Sequence, residues 1–279
     1  MDVKNKVTVP SLAAMKERGE KITMITCYEA TFAGLLDDSD VDTVLVGDSM
    51  GMVVQGLPNT LPVTMDQMVY HCRTVARRLH RPLLVGDLPF GSYQISPQQA
   101  LESSIRLIKE GRVEVVKLEG GVNMAATIEA IARVDIPVMG HVGLTPQSYH
   151  RMGGHKVQGR RASASGQATP AGMSSREQVI EDAKAVQDAG AIAVVLEGIP
   201  FGLAQEITAM LDIPSIGIGA GPYCDGQVLV LHDVLGLSEL ALRFTKKYGD
   251  LKTATLDAVG AYVQEVKDGV FPDEAHAYK

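Results

Sequence analysis

The chain alternates between short runs of apolar, often β-branched residues and longer segments with helical spacing. Eight such runs occur, and each ends at a polar residue or a glycine: 22–27, 43–46, 83–85, 113–118, 137–140, 192–196, 215–218 and 228–231. The runs are apolar on both faces, which is typical of parallel strands covered by helices on both sides. The pattern therefore predicts eight parallel strands.

The segments between the runs carry helix start and stop signals. Thr64 and Gln67 form a potential capping box ahead of a helical apolar repeat. Ser96 precedes a proline at the first position of a second predicted helix. A third predicted helix opens at Ser174 and stops at Gly190. Helices and strands are thus expected to alternate along the chain.

Eight strands with helical crossovers predict the α/β class and a (β/α)8 TIM barrel. A doubly wound open sheet normally uses fewer strands and opens with a glycine fingerprint after its first strand. Here the first run leads instead into Cys27, Tyr28 and Glu29. The barrel is therefore the favoured architecture.

Three segments lie outside the eight repeated units. A helix over 8–18 is expected to close the bottom of the barrel, and a terminal helix is expected over 251–266. The stretch 161–175 is small and polar without periodicity, which predicts a flexible loop. We predict one catalytic domain over 1–279.

Composition and charge narrow the classes of function. Lys and Arg total 26 against 33 Asp and Glu, the net charge is -7, and no basic run is interleaved with aromatic residues. Binding to nucleic acid is therefore not expected. The apolar runs are far shorter than the roughly 20 residues of a membrane helix. No secretory signal is recognised, so we expect a cytoplasmic protein that does not bind a membrane.

The cysteines argue against two kinds of stabilising site. Cys27, Cys72 and Cys224 are widely separated, odd in number and without the paired spacing of a zinc site. Neither a disulfide framework nor a Cys/His metal site is expected. We interpret them as reduced thiols in or near the core.

Acidic residues follow three consecutive strands at the end of a barrel where active sites lie. They are Asp48, Asp87 and Glu119. Ligands that are all oxygen suit a hard cation, and Mg²⁺ accepts a few carboxylates together with waters and substrate oxygens. Each Asp can instead cap the following helix. Metal binding is favoured for the three residues taken together.

Further charged residues occur at the same end of the predicted barrel. Lys117 lies two residues before Glu119, so both side chains point to one side of the strand. A charge buried there needs a carboxylate of the protein or substrate, unless the lysine reaches solvent. Glu197 follows the most apolar run and is a candidate general base or a carboxylate that holds a ligand. His141 is either catalytic or a structural hydrogen-bonding group.

A set of short motifs connects these residues in a fixed order. The motifs lie at 46–49, 85–90, 116–121, 140–148, 156–160, 196–200, 216–221 and 225–230. In this order the chain resembles the ketopantoate hydroxymethyltransferase family, with matches from about residue 8 to about residue 244. Several motifs in sequence make the resemblance far more specific than any one of them.

The resemblance implies a (β/α)8 barrel enzyme of pantothenate and coenzyme A biosynthesis. Its reaction would transfer a hydroxymethyl group from 5,10-methylenetetrahydrofolate to 3-methyl-2-oxobutanoate, giving 2-dehydropantoate. The implied Mg²⁺ ligands are Asp48, Asp87 and Glu119. The implied substrate contacts are Asp48, Ser49, Asp87 and Lys117. The implied proton acceptor is Glu197.

The chemistry of the implied substrate explains this set of groups. A 2-oxo acid can chelate Mg²⁺ through a carboxylate and its keto oxygen, and the metal then stabilises the enolate formed when the C3 proton leaves. We therefore expect the reaction to pass through a Mg²⁺-chelated enolate. The resemblance also implies a homo-oligomer, commonly a decamer. The chain departs from the family at 161–175, which is longer than usual, and in its tail from 246.

Two other classes of protein share some of these features. An isocitrate-lyase-like lyase or a phosphonopyruvate mutase would use the same Mg²⁺-chelated enolate. The chain lacks the Lys-Lys-Cys-Gly-His type of loop that carries the reactive thiol of those lyases. A non-catalytic barrel would only bind a metabolite, but such a scaffold has no physical need for several charges at one rim.

Overall fold

A closed barrel of parallel strands forms the first compact unit of the chain, within Met1–Leu229. The computed structural model describes residues 5–160, 172–238 and 242–279. The strands are β1 (Ile22–Thr26), β2 (Thr43–Val46), β3 (Leu83–Asp87), β4 (Val115–Glu119), β5 (Val138–Gly143), β6 (Ala193–Glu197), β7 (Ser215–Ile218) and β8 (Gly226–Leu229). Each strand pairs in parallel with the next, and β8 pairs with β1. The predicted (β/α)8 TIM barrel is confirmed.

Helices connect the strands. Those of the barrel unit are α1 (Val9–Glu17), α2 (Ala30–Asp37), α3 (Met50–Val53), α4 (Met65–Ala76), α5 (Pro97–Arg106), α6 (Ala125–Ala132), α7 (Tyr149–Met152), α8 (Arg176–Asp188) and α9 (Phe201–Met210). Several strands are longer than the apolar runs that predict them. Their backbone pairing with the neighbouring strands continues through the residues that follow each run.

Side chains set helix starts where the sequence predicts them. The Thr64 hydroxyl accepts the Gln67 N–H at 3.3 Å, and the Gln67 side chain accepts the Thr64 N–H at 2.8 Å. This capping box begins α4, and the Ser96 hydroxyl caps α5 by accepting the Gln99 N–H at 3.2 Å. The predicted N-terminal helix is confirmed as α1.

The predicted start of α8 at Ser174 is wrong by one residue. The Ser175 hydroxyl accepts the Gln178 N–H at 3.1 Å, which makes Ser175 the cap. The Ser174 N–H instead donates to the Gln158 side chain at 2.8 Å, and this bond holds Ser174 in the preceding loop. We predict a flexible loop at 161–175, and residues 161–171 of this segment lie outside the described part of the chain.

Alternate residues of the strands serve two separate hydrophobic cores. The barrel interior contains Ile22, Met24, Leu45, Leu83, Val85, Val115, Met139, Ala193, Val195, Ile216 and Val228, together with Leu12 of α1. The residues between them, such as Val44, Val116 and Val194, pack against the helices. Leu12 thus closes the interior, as expected of the extra helix. The three cysteines lie in the outer core as buried free thiols, as predicted.

The inward-facing positions change from apolar to charged at the carboxyl ends of the strands. On β4, Val115 belongs to the apolar interior, and Lys117 and Glu119 follow on the same face because the side-chain period is two. The register places Asp87 beside Lys117 and Glu119 beside His141. The barrel therefore brings inward-facing charges of neighbouring strands together in one layer.

The second compact unit spans Val230–Lys279 and contains the helices α10 (Leu231–Val234) and α11 (Leu251–Lys267). The predicted C-terminal helix is confirmed as α11. One stripe of this helix is apolar and exposed. Its residues are Leu256, Val259, Val263 and Val266, whose exposed fractions are 63%, 55%, 41% and 44%. No helix in the parts of the chain that the structure describes is long and apolar enough to cross a bilayer. A single domain over 1–279 stays a prediction.

Gly143 at the end of β5 tests how tightly the rim is packed. Its φ is +93°, and an added Cβ would lie 2.4 Å from the Glu197 carbonyl oxygen. We expect Gly143→Ala to lower the free energy of unfolding by about 1–3 kcal/mol through strain and steric overlap. Gly202→Ala in α9 meets no atom within 4 Å and should not destabilise. Urea denaturation at one protein concentration measures both variants, and equal midpoints would contradict this account.

Candidate active site

Three carboxylates meet at the carboxyl ends of β2, β3 and β4. The Asp48 N–H donates to Asp87 Oδ2 at 3.2 Å, so the first two lie side by side. Gln147 joins the third to them, because its Nε2 donates to Asp48 Oδ2 at 2.9 Å and its backbone N–H donates to Glu119 Oε2 at 3.0 Å. All three carboxylates are buried. The structure therefore brings the predicted acidic residues together.

The electrostatics of this cluster are unfavourable for three negative charges. Burial, followed by the charge of Asp87, raises the pKa of Asp48 above its ordinary value. Burial, followed by the charge of Asp48, raises the pKa of Glu119 well above its ordinary value. Both shifts have the same physical cause, since neither water nor enough positive charge stabilises the carboxylates. The cluster therefore favours the presence of added positive charge.

Lys117 provides positive charge from the protein. Its Nζ lies 2.7 Å from Asp87 Oδ1, and both side chains are almost completely buried. Burial by itself lowers the pKa of Lys117, but the charges of Asp87, Glu119 and Asp48 outweigh it and the net shift is upward. The ammonium group therefore stays charged. The protein itself supplies the carboxylate partner that the sequence argument requires.

His141 connects Lys117 to Glu197. Its Nδ1 lies 3.3 Å from Lys117 Nζ, and its Nε2 lies 3.2 Å from Glu197 Oε2. Burial, followed by the charge of Lys117, lowers the pKa of His141, so the ring is neutral near pH 7. The ammonium group can only donate, which assigns the ring proton to Nε2, facing Glu197. The Glu197 side chain is 17% exposed against 4% for His141.

Ser49 lies next to the acidic cluster, directly after Asp48. Its hydroxyl is 2.8 Å from the hydroxyl of Tyr28, which follows β1 and is buried. Burial raises the pKa of Tyr28, so this phenol is neutral at physiological pH and holds the Ser49 hydroxyl by hydrogen bonding. Ser49 is predicted from the sequence as a site residue, whereas Tyr28 is not. The position of Tyr28 just beyond the first predicted strand was a usable signal.

Two further residues of the cluster were missed from sequence. Gln147 and Tyr93 are buried, and the Tyr93 hydroxyl lies 2.7 Å from Gln147 Oε1. Gln147 follows the end of β5 and lies in the motif at 140–148, which supports the family resemblance but by itself predicts no role for Gln147. Tyr93 lies several residues beyond the end of β3, so no strand-end rule identifies it. The structure also places His141, whose role the sequence left open, between two of the predicted site residues.

A cleft opens beside Glu119 at the same end of the barrel. It shares Glu119 and Gln147 with the acidic cluster. Its other lining residues combine apolar and polar side chains, including Phe90, Asn123, Met124, Arg151 and Asp182. The cleft therefore reaches one of the three carboxylates, Glu119.

The donor set fits a hard cation such as Mg²⁺. Asp48, Asp87 and Glu119 offer only oxygen atoms, and the raised pKa of two of them shows the need for positive charge. In the described part of the chain, no three Asp, Glu, His or Cys side chains form a ready-made metal cage. Mg²⁺ usually takes only one or two carboxylates and completes its shell with waters and substrate oxygens. The residues therefore fit a site that substrate helps to complete.

Comparison with known proteins identifies the family. A model of the ketopantoate hydroxymethyltransferase family matches residues 6–274. The chain belongs to the ketopantoate hydroxymethyltransferase family. A relative from Pelobacter propionicus named 3-methyl-2-oxobutanoate hydroxymethyltransferase is 52% identical over 278 residues, 99% of each chain. A relative of the same name from Trichlorobacter lovleyi is 53% identical over 99% of this chain and 100% of its own. This family member is a transferase, as the resemblance implies.

Solved structures similar to this family member show the fold alone. Phosphoenolpyruvate phosphomutase from Streptomyces platensis subsp. rosaceus matches with a TM-score of 0.62 at 14% identity, over 97% of this chain and 92% of that one. A phosphonopyruvate hydrolase in complex with oxalate and Mg²⁺ matches with a TM-score of 0.60 at 11% identity, over 97% and 91%. Both matches cover the barrel nearly in full.

The buried pair of Lys117 and Asp87 gives a direct test of the charge balance. We expect Lys117→Met to lower the free energy of unfolding by about 3–5 kcal/mol, because Asp87 then lacks its partner. Adding Asp87→Asn should recover part of the loss. Arg106→Met breaks two exposed pairs, with Glu110 and with Asp66, and should cost under about 1 kcal/mol. Urea denaturation measures all three, and a loss for Lys117→Met no larger than for Arg106→Met would refute the charge argument.

Proposed function

We propose that this protein transfers a hydroxymethyl group from 5,10-methylenetetrahydrofolate to 3-methyl-2-oxobutanoate, giving 2-dehydropantoate. One observation carries the proposal: a buried rim cluster in which carboxylates, Lys117 and His141 lead by direct contacts to Glu197. The names of the relatives support the same acceptor. The cluster offers a place for an anionic 2-oxo acid and a separate group that can take a proton.

The carboxylates would hold the cofactor. Asp48 and Asp87 would bind Mg²⁺, with Glu119 as the third carboxylate of the site. Bound there, Mg²⁺ would supply a Lewis acid that favours negative charge on the oxygen atoms of the 2-oxo acid. The Gln147 hydrogen bonds to Asp48 and Glu119 would hold two of these ligands in place.

Lys117 and Ser49 would bind the substrate carboxylate. The Lys117 ammonium group is held in place by Asp87 and His141, so it adds charge to the site without becoming mobile. The Ser49 hydroxyl is held by Tyr28 and would donate a hydrogen bond. Asp48 and Asp87 would lie against the same substrate through the shared site. These contacts would orient the C3–H bond of the acid.

Glu197 would accept the C3 proton. Carried on Nε2, the His141 ring proton would lie next to the Glu197 carboxylate, whose Oε2 is 3.2 Å from that nitrogen. Because Glu197 is partly exposed, it can exchange the proton with solvent after each turnover.

The carbanion equivalent at C3 then forms a bond to the methylene carbon of the folate. The two C–N bonds between this carbon and the folate break, and water supplies the hydroxyl group. The remaining proton of water and a proton equivalent to the one taken from C3 pass to the two folate nitrogens, and tetrahydrofolate leaves. The cleft beside Glu119 would admit this second substrate.

Exchange of the C3 hydrogen in D₂O tests the first half of this reaction. We expect wild-type protein with Mg²⁺ and 3-methyl-2-oxobutanoate to lose the C3–H signal in proton NMR. Glu197→Gln should slow the exchange by about 10²- to 10⁴-fold, the usual contribution of a general base. Removing Mg²⁺ with a chelator should also suppress it.

The matched control is Glu181→Gln, which changes an exposed glutamate of α8 in the same way. It should exchange at the wild-type rate. Exchange that Glu197→Gln leaves unchanged would remove Glu197 from its proposed role. If neither exchange nor folate-dependent formation of 2-dehydropantoate occurs with wild-type protein, the proposed reaction is wrong.

We propose in addition that the chain forms a homo-oligomer, with a decamer as the expected size. The observation that supports association is the exposed apolar stripe of α11, formed by Leu256, Val259, Val263 and Val266. Spacings of three and four residues place these side chains on one helix face. An apolar stripe of this kind is normally covered by another element or another chain.

Light scattering coupled to gel filtration tests this association. Val259→Glu places a charge in the middle of the stripe, so we expect a smaller particle mass than for wild type. Ala261→Glu adds the same charge to the opposite face of α11 and should leave the mass unchanged. A monomeric wild-type protein would contradict the proposal, and so would a Val259→Glu variant with the wild-type mass.

A further inference from the structure

Gln147 bridges two carboxylates of the acidic cluster and is not among the site residues predicted from the sequence. Its Nε2 donates to Asp48 Oδ2 at 2.9 Å and to the Leu88 carbonyl at 3.0 Å. Its backbone N–H donates to Glu119 Oε2 at 3.0 Å. One residue of the segment after β5 therefore holds a carboxylate of β2 and a carboxylate of β4. It binds none of the reacting groups proposed above directly.

The amide of Gln147 has only one favourable orientation. Its Oε1 accepts from the Tyr93 hydroxyl at 2.7 Å and from Gln94 Nε2 at 3.0 Å. A flipped amide would direct its oxygen at the Asp48 carboxylate and at the Leu88 carbonyl, where two acceptors would repel each other. The contacts of the amide oxygen and those of the amide nitrogen therefore require the same orientation.

Tyr93 links the oriented amide of Gln147 to Glu119 by hydrogen bonds. The Glu119 N–H donates to the Tyr93 hydroxyl at 3.2 Å. This hydroxyl lies 2.7 Å from Gln147 Oε1 and 3.1 Å from the Glu119 carbonyl oxygen, so Gln147 is the nearer of its two acceptors. A continuous series of hydrogen bonds therefore runs from the end of β4 through Tyr93 and Gln147 to Asp48.

We propose that Gln147, oriented by Tyr93, is a positioning residue that fixes Asp48 and Glu119 at the spacing needed to bind a divalent cation. This inference rests on the metal site of the proposed function. Partners that orient metal-binding carboxylates typically change metal affinity by about 10- to 100-fold when they are removed. Gln147 acts through the two carboxylates and contacts none of the reacting atoms.

Binding of Mn²⁺, followed by the electron paramagnetic resonance signal of the free ion, tests the proposal without any measurement of activity. Gln147→Met keeps the length of the side chain but removes the donor to Asp48. We expect its Kd for Mn²⁺, with 3-methyl-2-oxobutanoate present, to rise by about 10- to 100-fold over wild type. Tyr93→Phe keeps the amide but removes the group that orients it, and a smaller increase is expected.

Gln94→Met is the matched control. It removes a donor to the same Gln147 Oε1 from a partly exposed side and leaves the bond to Asp48 in place. Its Kd should stay within about twofold of wild type. Circular dichroism establishes that each variant is folded, and Tyr93→Phe carries the test if Gln147→Met does not fold. A folded Gln147→Met with the wild-type Kd would overturn the inference and leave the proposed function intact. A wild-type protein that binds no Mn²⁺ would overturn both.

Discussion

The balance of buried charge at the carboxyl end of the barrel is the constraint on which the site depends. Asp48, Asp87 and Glu119 share a space from which water is largely excluded, and among the described residues Lys117 opposes them with a full positive charge that is buried in contact with Asp87. Charges interact strongly in such surroundings, so an unbalanced set raises the pKa of carboxylates and costs stability. The remaining negative charge makes the cluster suited to a divalent cation and to a substrate that brings its own ligand oxygens.

The barrel makes this concentration of charge possible because its interior is built in layers. Inward-facing residues such as Val85 and Val115 form an apolar core below the rim, and the same face continues into Asp87 and Lys117. Rigid, fully paired strands thus hold charged groups that would separate in a flexible loop. The adjoining segments add hydrogen-bonding residues that the strands do not supply, such as Gln147.

The fold and the family describe this protein at different levels. The similar barrels of a phosphomutase and of a phosphonopyruvate hydrolase show that the architecture is shared by proteins with different names and low sequence identity. One barrel can support many reactions because its loops vary while its strands do not. Relatives that are about half identical over nearly the full chain define the family instead. The acidic cluster connects the two levels, since its groups lie at the strand ends where barrel enzymes carry out chemistry.

The sequence by itself determined the eight-strand barrel, the family and the positions of the rim residues, because strand burial and strand ends leave a local pattern of apolar and polar residues. It also identified Lys117 as a charge in need of a partner. Only the tertiary structure decided which carboxylate pairs with it, since that depends on the register between β3 and β4. The place of His141 and the role of Gln147 likewise required the fold. Their partners lie far away in the chain, and no local pattern records a hydrogen bond between distant segments.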